Sequence, residues 1–110
     1  MNKRKSTLEA DPMTRMQRHA CEASLLLKAM GNEQRLLVLC NLVGNELSVG
    51  ELQAKLRLSQ SALSQHLAVL REAGMVETRR SAQTIFYSLP PGPVHQLMHA
   101  LHDIYCGDTE

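Results

Sequence analysis

The chain has 110 residues, 12 basic against 11 acidic, and a formal net charge of +1. One domain of this length buries a modest core, which favours sharing apolar surface in a dimer; the near-neutral balance excludes a globally polycationic nucleic-acid binder, so basic recognition has to be local. No apolar run approaches the roughly 20 residues that span a bilayer, and the charged opening segment has no secretory h-region, so a cytoplasmic protein without a membrane partner is expected.

In chain order, residues 1–10 read as a disordered segment where Lys3, Arg4 and Lys5 concentrate charge, and residues 11–110 as one folded domain. Asp11-Pro12 starts a helix, since Asp caps and Pro fits the first turn. Met13, Met16, Ala20, Ala23, Leu27 and Met30 then recur at alternating spacings of three and four. Such a stripe serves either a helix–helix seam or an ordinary core-facing side. Gly31-Asn32 ends this helix and caps the next, which runs from Glu33 to about Val43. Its Leu36-Leu37-Val38-Leu39-Cys40 is apolar nearly all round, as in a buried central helix. Gly44-Asn45 breaks that helix, and Glu46-Leu47 leads into a capping box in which Ser48 and Glu51 each satisfy the other's amide.

A short helix carrying Leu52 and Leu56 follows, and Ser59 caps a longer one ending at Gly74. In the longer helix Leu63, Leu67 and Leu70 share one face, while Ser61, Ser64, Gln65 and Ala68 share the other. A helix that is apolar inward and rich in hydroxyls and amides outward suits a DNA major groove. Gln60, Ser61, Ser64 and Gln65 are the expected contacts to bases or phosphates. His66, on the shoulder, either touches phosphate or packs. Met75–Arg80 and Thr84–Leu89 read as two strands joined by Ser81-Ala82-Gln83, a hairpin wing. Arg79 and Arg80 near its tip, with Gln83 across, place cations and an amide against the DNA backbone; Arg80 and Gln83 are the expected wing contacts. Pro90-Pro91-Gly92-Pro93 turns the chain into a last helix to about Tyr105, with an apolar stripe of Val94, Leu97, Met98, Leu101 and Tyr105. The predicted fold is mainly α with a β-hairpin wing: a winged helix-turn-helix of order α-α-α-α-β-β-α, with terminal helices available for homodimerisation.

Leu36–Cys40, Glu46–Leu52, Leu58–Leu67, Leu70–Gly74 and Ile85–Leu89, in that order and spacing, resemble the ArsR/SmtB family, and within it the HlyU/BigR-like dithiol subgroup. The likeness covers about residues 20 to 106. It implies a homodimeric winged-helix transcriptional regulator that binds double-stranded DNA at an inverted-repeat operator. The family's metal sites are not matched. Ser48-Val49-Gly50 stands where soft-metal sensors carry Cys-x-Cys. Pro90, Gly92, Asp103 and Cys106 stand where zinc sensors carry their last-helix ligands, and Pro90 and Gly92 have no side chain that could ligate. No metal or cofactor is therefore expected. The resemblance instead pairs Cys40 with Cys106 as a redox- or sulfur-sensing couple, oxidised to a disulfide or modified by persulfide or polysulfide.

Taken without the resemblance, Cys40 reads as a small buried hydrophobe, and Cys21 as a packing residue beside the first-helix stripe. His95, His99, His102 and Cys106 form one stripe of the last helix. It is either a solvated face or a metal-responsive element completed by a second subunit, and the latter is the alternative function. No phosphate-binding Gly loop, nucleophile–base arrangement or paired carboxylate site occurs. A regulator is expected rather than an enzyme, with no small-molecule partner beyond a sulfur or oxidant signal.

Overall fold

A computed structural model describes residues 11–107; the segment 1–10, expected to be disordered, lies outside the described residues, as do residues 108–110. The elements are α1 (Pro12–Met30), α2 (Glu33–Leu42), β1 (Leu47–Ser48), α3 (Val49–Leu56), α4 (Gln60–Glu72), β2 (Glu77–Ser81), β3 (Thr84–Ser88) and α5 (Pro93–Tyr105). This is the expected order with one addition, β1.

Helix starts are set by the predicted caps. The Asp11 carboxylate accepts from the Met13 amide at 3.3 Å and the Thr14 hydroxyl at 3.0 Å. Asn32 Oδ1 accepts from the Arg35 amide at 3.0 Å. Ser48 and Glu51 form the reciprocal box, with Ser48 Oγ accepting at 3.2 Å and Glu51 Oε1 at 2.8 Å. Each cap satisfies amides that the first helical turn leaves without partners. The turn between α3 and α4 is made by Arg57, left-handed at φ 59° and ψ 41°, whose amide donates to the Gln53 carbonyl.

The core is dry: among the described residues no polar or charged residue is buried. It gathers Val38, Leu39 and Leu42 of α2, Leu52 of α3, Leu63, Leu67 and Leu70 of α4, Met75 and Val76 before the wing, and Val94 and Met98 of α5. Only the last turn of α1, through Ala29 and Met30, joins them. α2 packs against all four other described helices.

The sheet differs from expectation in two ways. It has three strands in the order β1-β3-β2, because Leu47-Ser48 pairs antiparallel with Phe86-Tyr87. Two residues carry no periodic signal, and the strand exists only because β3 lies alongside. The wing connection is Ala82-Gln83 alone, since Ser81 pairs with Thr84. Ala82 takes φ 56°, the sign that a tight hairpin needs at its first loop position and that favours glycine there.

One helical reading is corrected and one of two alternatives is removed. α2 is not covered all round: Leu37 and Cys40 point outward, because its neighbours leave that side open. The α1 stripe does not face a core over most of its length, with Met13 62 % and Met16 57 % exposed. The one-sided burial of α4 yields a sharp test. Leu63→Ala should lower the unfolding free energy by about 2–5 kcal/mol, and Ser64→Ala, one position on, should stay within about 0.5 kcal/mol. Both are read by urea denaturation at one protein concentration.

Candidate DNA-binding surface and thiol pair

The helix-turn-helix is α3, the Arg57 turn and α4. Ser59 Oγ accepts from the Ala62 amide at 3.1 Å, which fixes where α4 begins. Burial of Leu63, Leu67 and Leu70 then fixes its rotation. Gln60, Ser61, Ser64, Gln65 and Ala68 are left exposed as one uncharged, hydrogen-bonding face, and His66 is half-buried at its edge. All four expected base- or phosphate-contacting residues of the helix thus share the open side.

The wing separates its two arginines. Along β3, Ile85 and Tyr87 fall on one face of the sheet and Phe86 on the other. Tyr87 lines a shallow groove with Val49, Ser64, Ala68 and Arg71, so its face is the one turned toward α4. Arg80 pairs with Ile85 and lies on that face, further out, exposed near the tip together with Gln83. Arg79 pairs with Phe86 and lies on the opposite face. Its guanidinium sits 4.9 Å from the Phe86 ring centroid and forms a two-pronged bond with Glu46, at 2.9 and 2.8 Å. That hydrogen bonding, and then the charge of Arg79, hold the Glu46 carboxyl below the usual carboxylate range. Arg79, expected at the DNA with Arg80, is thus engaged within the protein.

α2 and α5 also pack together. They carry the two thiols, Cys40 on α2 and Cys106 capping the end of α5, both exposed and neither in a disulfide. The Cys106 amide donates to the His102 carbonyl at 2.7 Å. Partial burial pushes the Cys40 thiol up, and the nearby Cys106 pushes it further. Cys21, expected as a packing residue, is exposed on α1.

On α5, His95 is half-buried while His99 and His102 are exposed. The His95 and His99 rings lie 5.6 Å apart between centroids. Among the described residues no three His, Cys, Asp or Glu side chains converge as a metal site. A metal reading of this stripe therefore depends on ligands from a second chain.

Sequence reasoning missed the Glu46–Arg79 bond, because nothing local links positions 33 apart. The only hint was an acid just before the capping box and a double arginine in a strand. It also missed an open apolar groove of about 750 Å³ beside α1, lined in part by Ala23, Leu26, Leu27, Pro93 and Leu97. The cysteine geometry gives a prediction of its own. Cys106→Ser should lower the pH at which Cys40 becomes alkylated but not restore an ordinary thiol, because desolvation is the larger cause. Alkylation of Cys40 followed by mass spectrometry from pH 7 to 10 reads this directly.

A family profile described as "Bacterial regulatory protein, arsR family" matches residues 32–78. The chain is 54 % identical over 101 residues to the transcriptional activator HlyU of Vibrio cholerae, covering 90 % of this chain and 94 % of that protein. It is 46 % identical over 99 residues to the biofilm growth-associated repressor of Agrobacterium fabrum, covering 90 % and 85 %. The solved structure of HlyU from Vibrio cholerae superposes with a TM-score of 0.80 at 56 % identity, over 83 % of this chain and 99 % of that one.

Proposed function

We propose, from the premise that this chain belongs to the ArsR family of DNA-binding transcriptional regulators, that it acts as a homodimer whose operator affinity is set by the oxidation or persulfide state of Cys40 and Cys106. The observation that carries this reading is the thiol pair itself. Two exposed cysteines stand on packed helices, and burial, followed by the presence of Cys106, pushes the Cys40 thiol up.

The chemistry divides between them. The opening attack is assigned to Cys106, exposed at the end of α5, and the closing one to Cys40, whose thiol is pushed up by burial. The Cys106 thiolate attacks a sulfur–sulfur bond of an inorganic polysulfide, forms a persulfide, and releases the shortened polysulfide with the bonding electron pair. Cys40, once deprotonated, attacks the Cys106 sulfur and expels hydrosulfide, leaving a disulfide. Two thiols lose two electrons and one sulfane sulfur gains them. The pH sense follows: below its raised pKa the Cys40 thiolate fraction climbs about tenfold per pH unit, so the closing step accelerates as pH rises.

Dimerisation through the terminal helices is supported by what a single chain leaves uncovered. Met13 and Met16 on α1, and Ile104 and Tyr105 on α5, are exposed, the last by 78 %. In the proposed dimer each α4 enters the major groove of one half-site of an inverted repeat, roughly one helical turn from its mate. Gln60, Ser61, Ser64 and Gln65 then meet bases or phosphates, with His66, Arg80 and Gln83 at the periphery. Joining α2 to α5 changes the spacing of the two α4 helices and with it the affinity.

A gel-shift titration on the DNA upstream of the protein's own coding region tests the switch. Reduced wild type should bind, polysulfide-treated wild type should bind at least tenfold more weakly (about 1.4 kcal/mol), and treated Cys40→Ser should bind like the reduced protein. Equal binding in all three would reduce the cysteines to surface residues. Separately, Met16→Glu should shift the sedimentation coefficient from dimer to monomer and abolish tight operator binding.

A further inference from the structure

The Glu46–Arg79 bond joins parts of the chain with different jobs. Glu46 immediately precedes β1, and β1 ends in Ser48, the residue that caps α3. Arg79 belongs to β2, the outer strand of the wing, and β3 lies between them. Phe86 in β3 is the register partner of both Ser48 and Arg79, and the guanidinium crosses its ring on the way to the carboxylate. Three strands are thus pinned on one face by a two-pronged charge-assisted bond laid over an aromatic ring, a geometry that fixes orientation as well as distance. The pinned face is the one turned away from α4; Arg80 stands on the other.

We infer that Glu46 and Arg79 form a clamp that sets the pitch of the wing against the helix-turn-helix, so that Arg79 is a positioning residue for DNA and Arg80 is its wing contact. β1 is only two residues long; Tyr87 and Leu89 hold the inner side of the wing to the core, and the clamp is the restraint on the face turned away from α4. The wing tip, where Arg80 and Gln83 meet the backbone, lies at the far end of the β2–β3 hairpin. The inference rests on DNA binding by this fold and is independent of the thiol switch.

Charge makes the test sharp. Removing the negative charge of Glu46 should, by simple electrostatics, strengthen binding to a polyanion; the clamp requires the reverse. Wild type, Glu46→Gln, Arg79→Gln, the double charge swap Glu46→Arg with Arg79→Glu, and Arg80→Ala are titrated on the upstream duplex between 50 and 200 mM salt. All three residues are exposed, so thermal midpoints should stay near wild type. Both clamp singles should weaken binding severalfold with a salt slope parallel to wild type, and the charge swap should recover much of the loss. A direct phosphate ligand behaves differently, lowering the slope by about 0.9 when removed, and Arg80→Ala should do so. Tighter binding by Glu46→Gln, a slope lowered by about 0.9 in Arg79→Gln, or a charge swap no better than the weaker single would each overturn the clamp. An unchanged slope in Arg80→Ala would overturn the assignment of Arg80 as the wing contact that the clamp positions.

Discussion

Burial of Val38, Leu39 and Leu42 on α2 is the constraint from which the rest of the domain follows, because every other described helix leans on this one. Once α2 is enclosed, α4 can contribute only the face that carries Leu63, Leu67 and Leu70. The hydroxyls and amides at the intervening positions are then turned outward by subtraction. The outer face of α4 is polar without being charged, so the attraction to phosphate is carried by cations at the edges and discrimination by neutral groups at the centre. That division agrees with a chain whose overall charge is close to balance.

The same helix links the two candidate sites. α2 touches α5, which ends at Cys106, and also α3 and α4 of the helix-turn-helix. A change in how α5 lies on α2 therefore reaches the helix-turn-helix through one closely packed body, with no polar residue buried among the described ones to loosen it. The wing is held to this body through β1 and through Tyr87 and Leu89, and is steadied from outside the core by Glu46 and Arg79. The pitch of the wing thus draws on an exposed ionic contact that the recognition helix does not use.

How much of this was legible depended on how local each feature is. The caps at Asp11, Asn32, Ser48 and Ser59 are spelled within four residues and were all readable, as was the leucine spacing of α4. The contacts expected on α4 could be named for the same reason: a helix with one apolar face has its other face determined. Where a segment is apolar all round, as Leu36 to Cys40 is, the sequence offers no way to choose the open side. The outward turn of Leu37 and Cys40 is decided by where α1, α3, α4 and α5 happen to leave a gap. Strand β1 and the Glu46–Arg79 bond depend on partners far along the chain, and a period-based reading is blind to both. The resemblance pointed to Cys40 and Cys106; their electrostatic nearness required the packed helices.

The placement of the two cysteines along the chain has one more consequence. Cys40 lies in the central helix and Cys106 at the end of the last one, so a covalent bridge between them encloses α3, α4, the whole wing and α5 in one loop. In the chain-entropy account, closing a loop of that size stabilises a domain by about 4 kcal/mol. A bridged regulator would therefore unfold more rarely, and be cut by proteases more slowly, than its reduced form. The sulfur signal would be written into the lifetime of the protein as well as into its grip on DNA, and the memory of an exposure would outlast the oxidant until a reductant erased it.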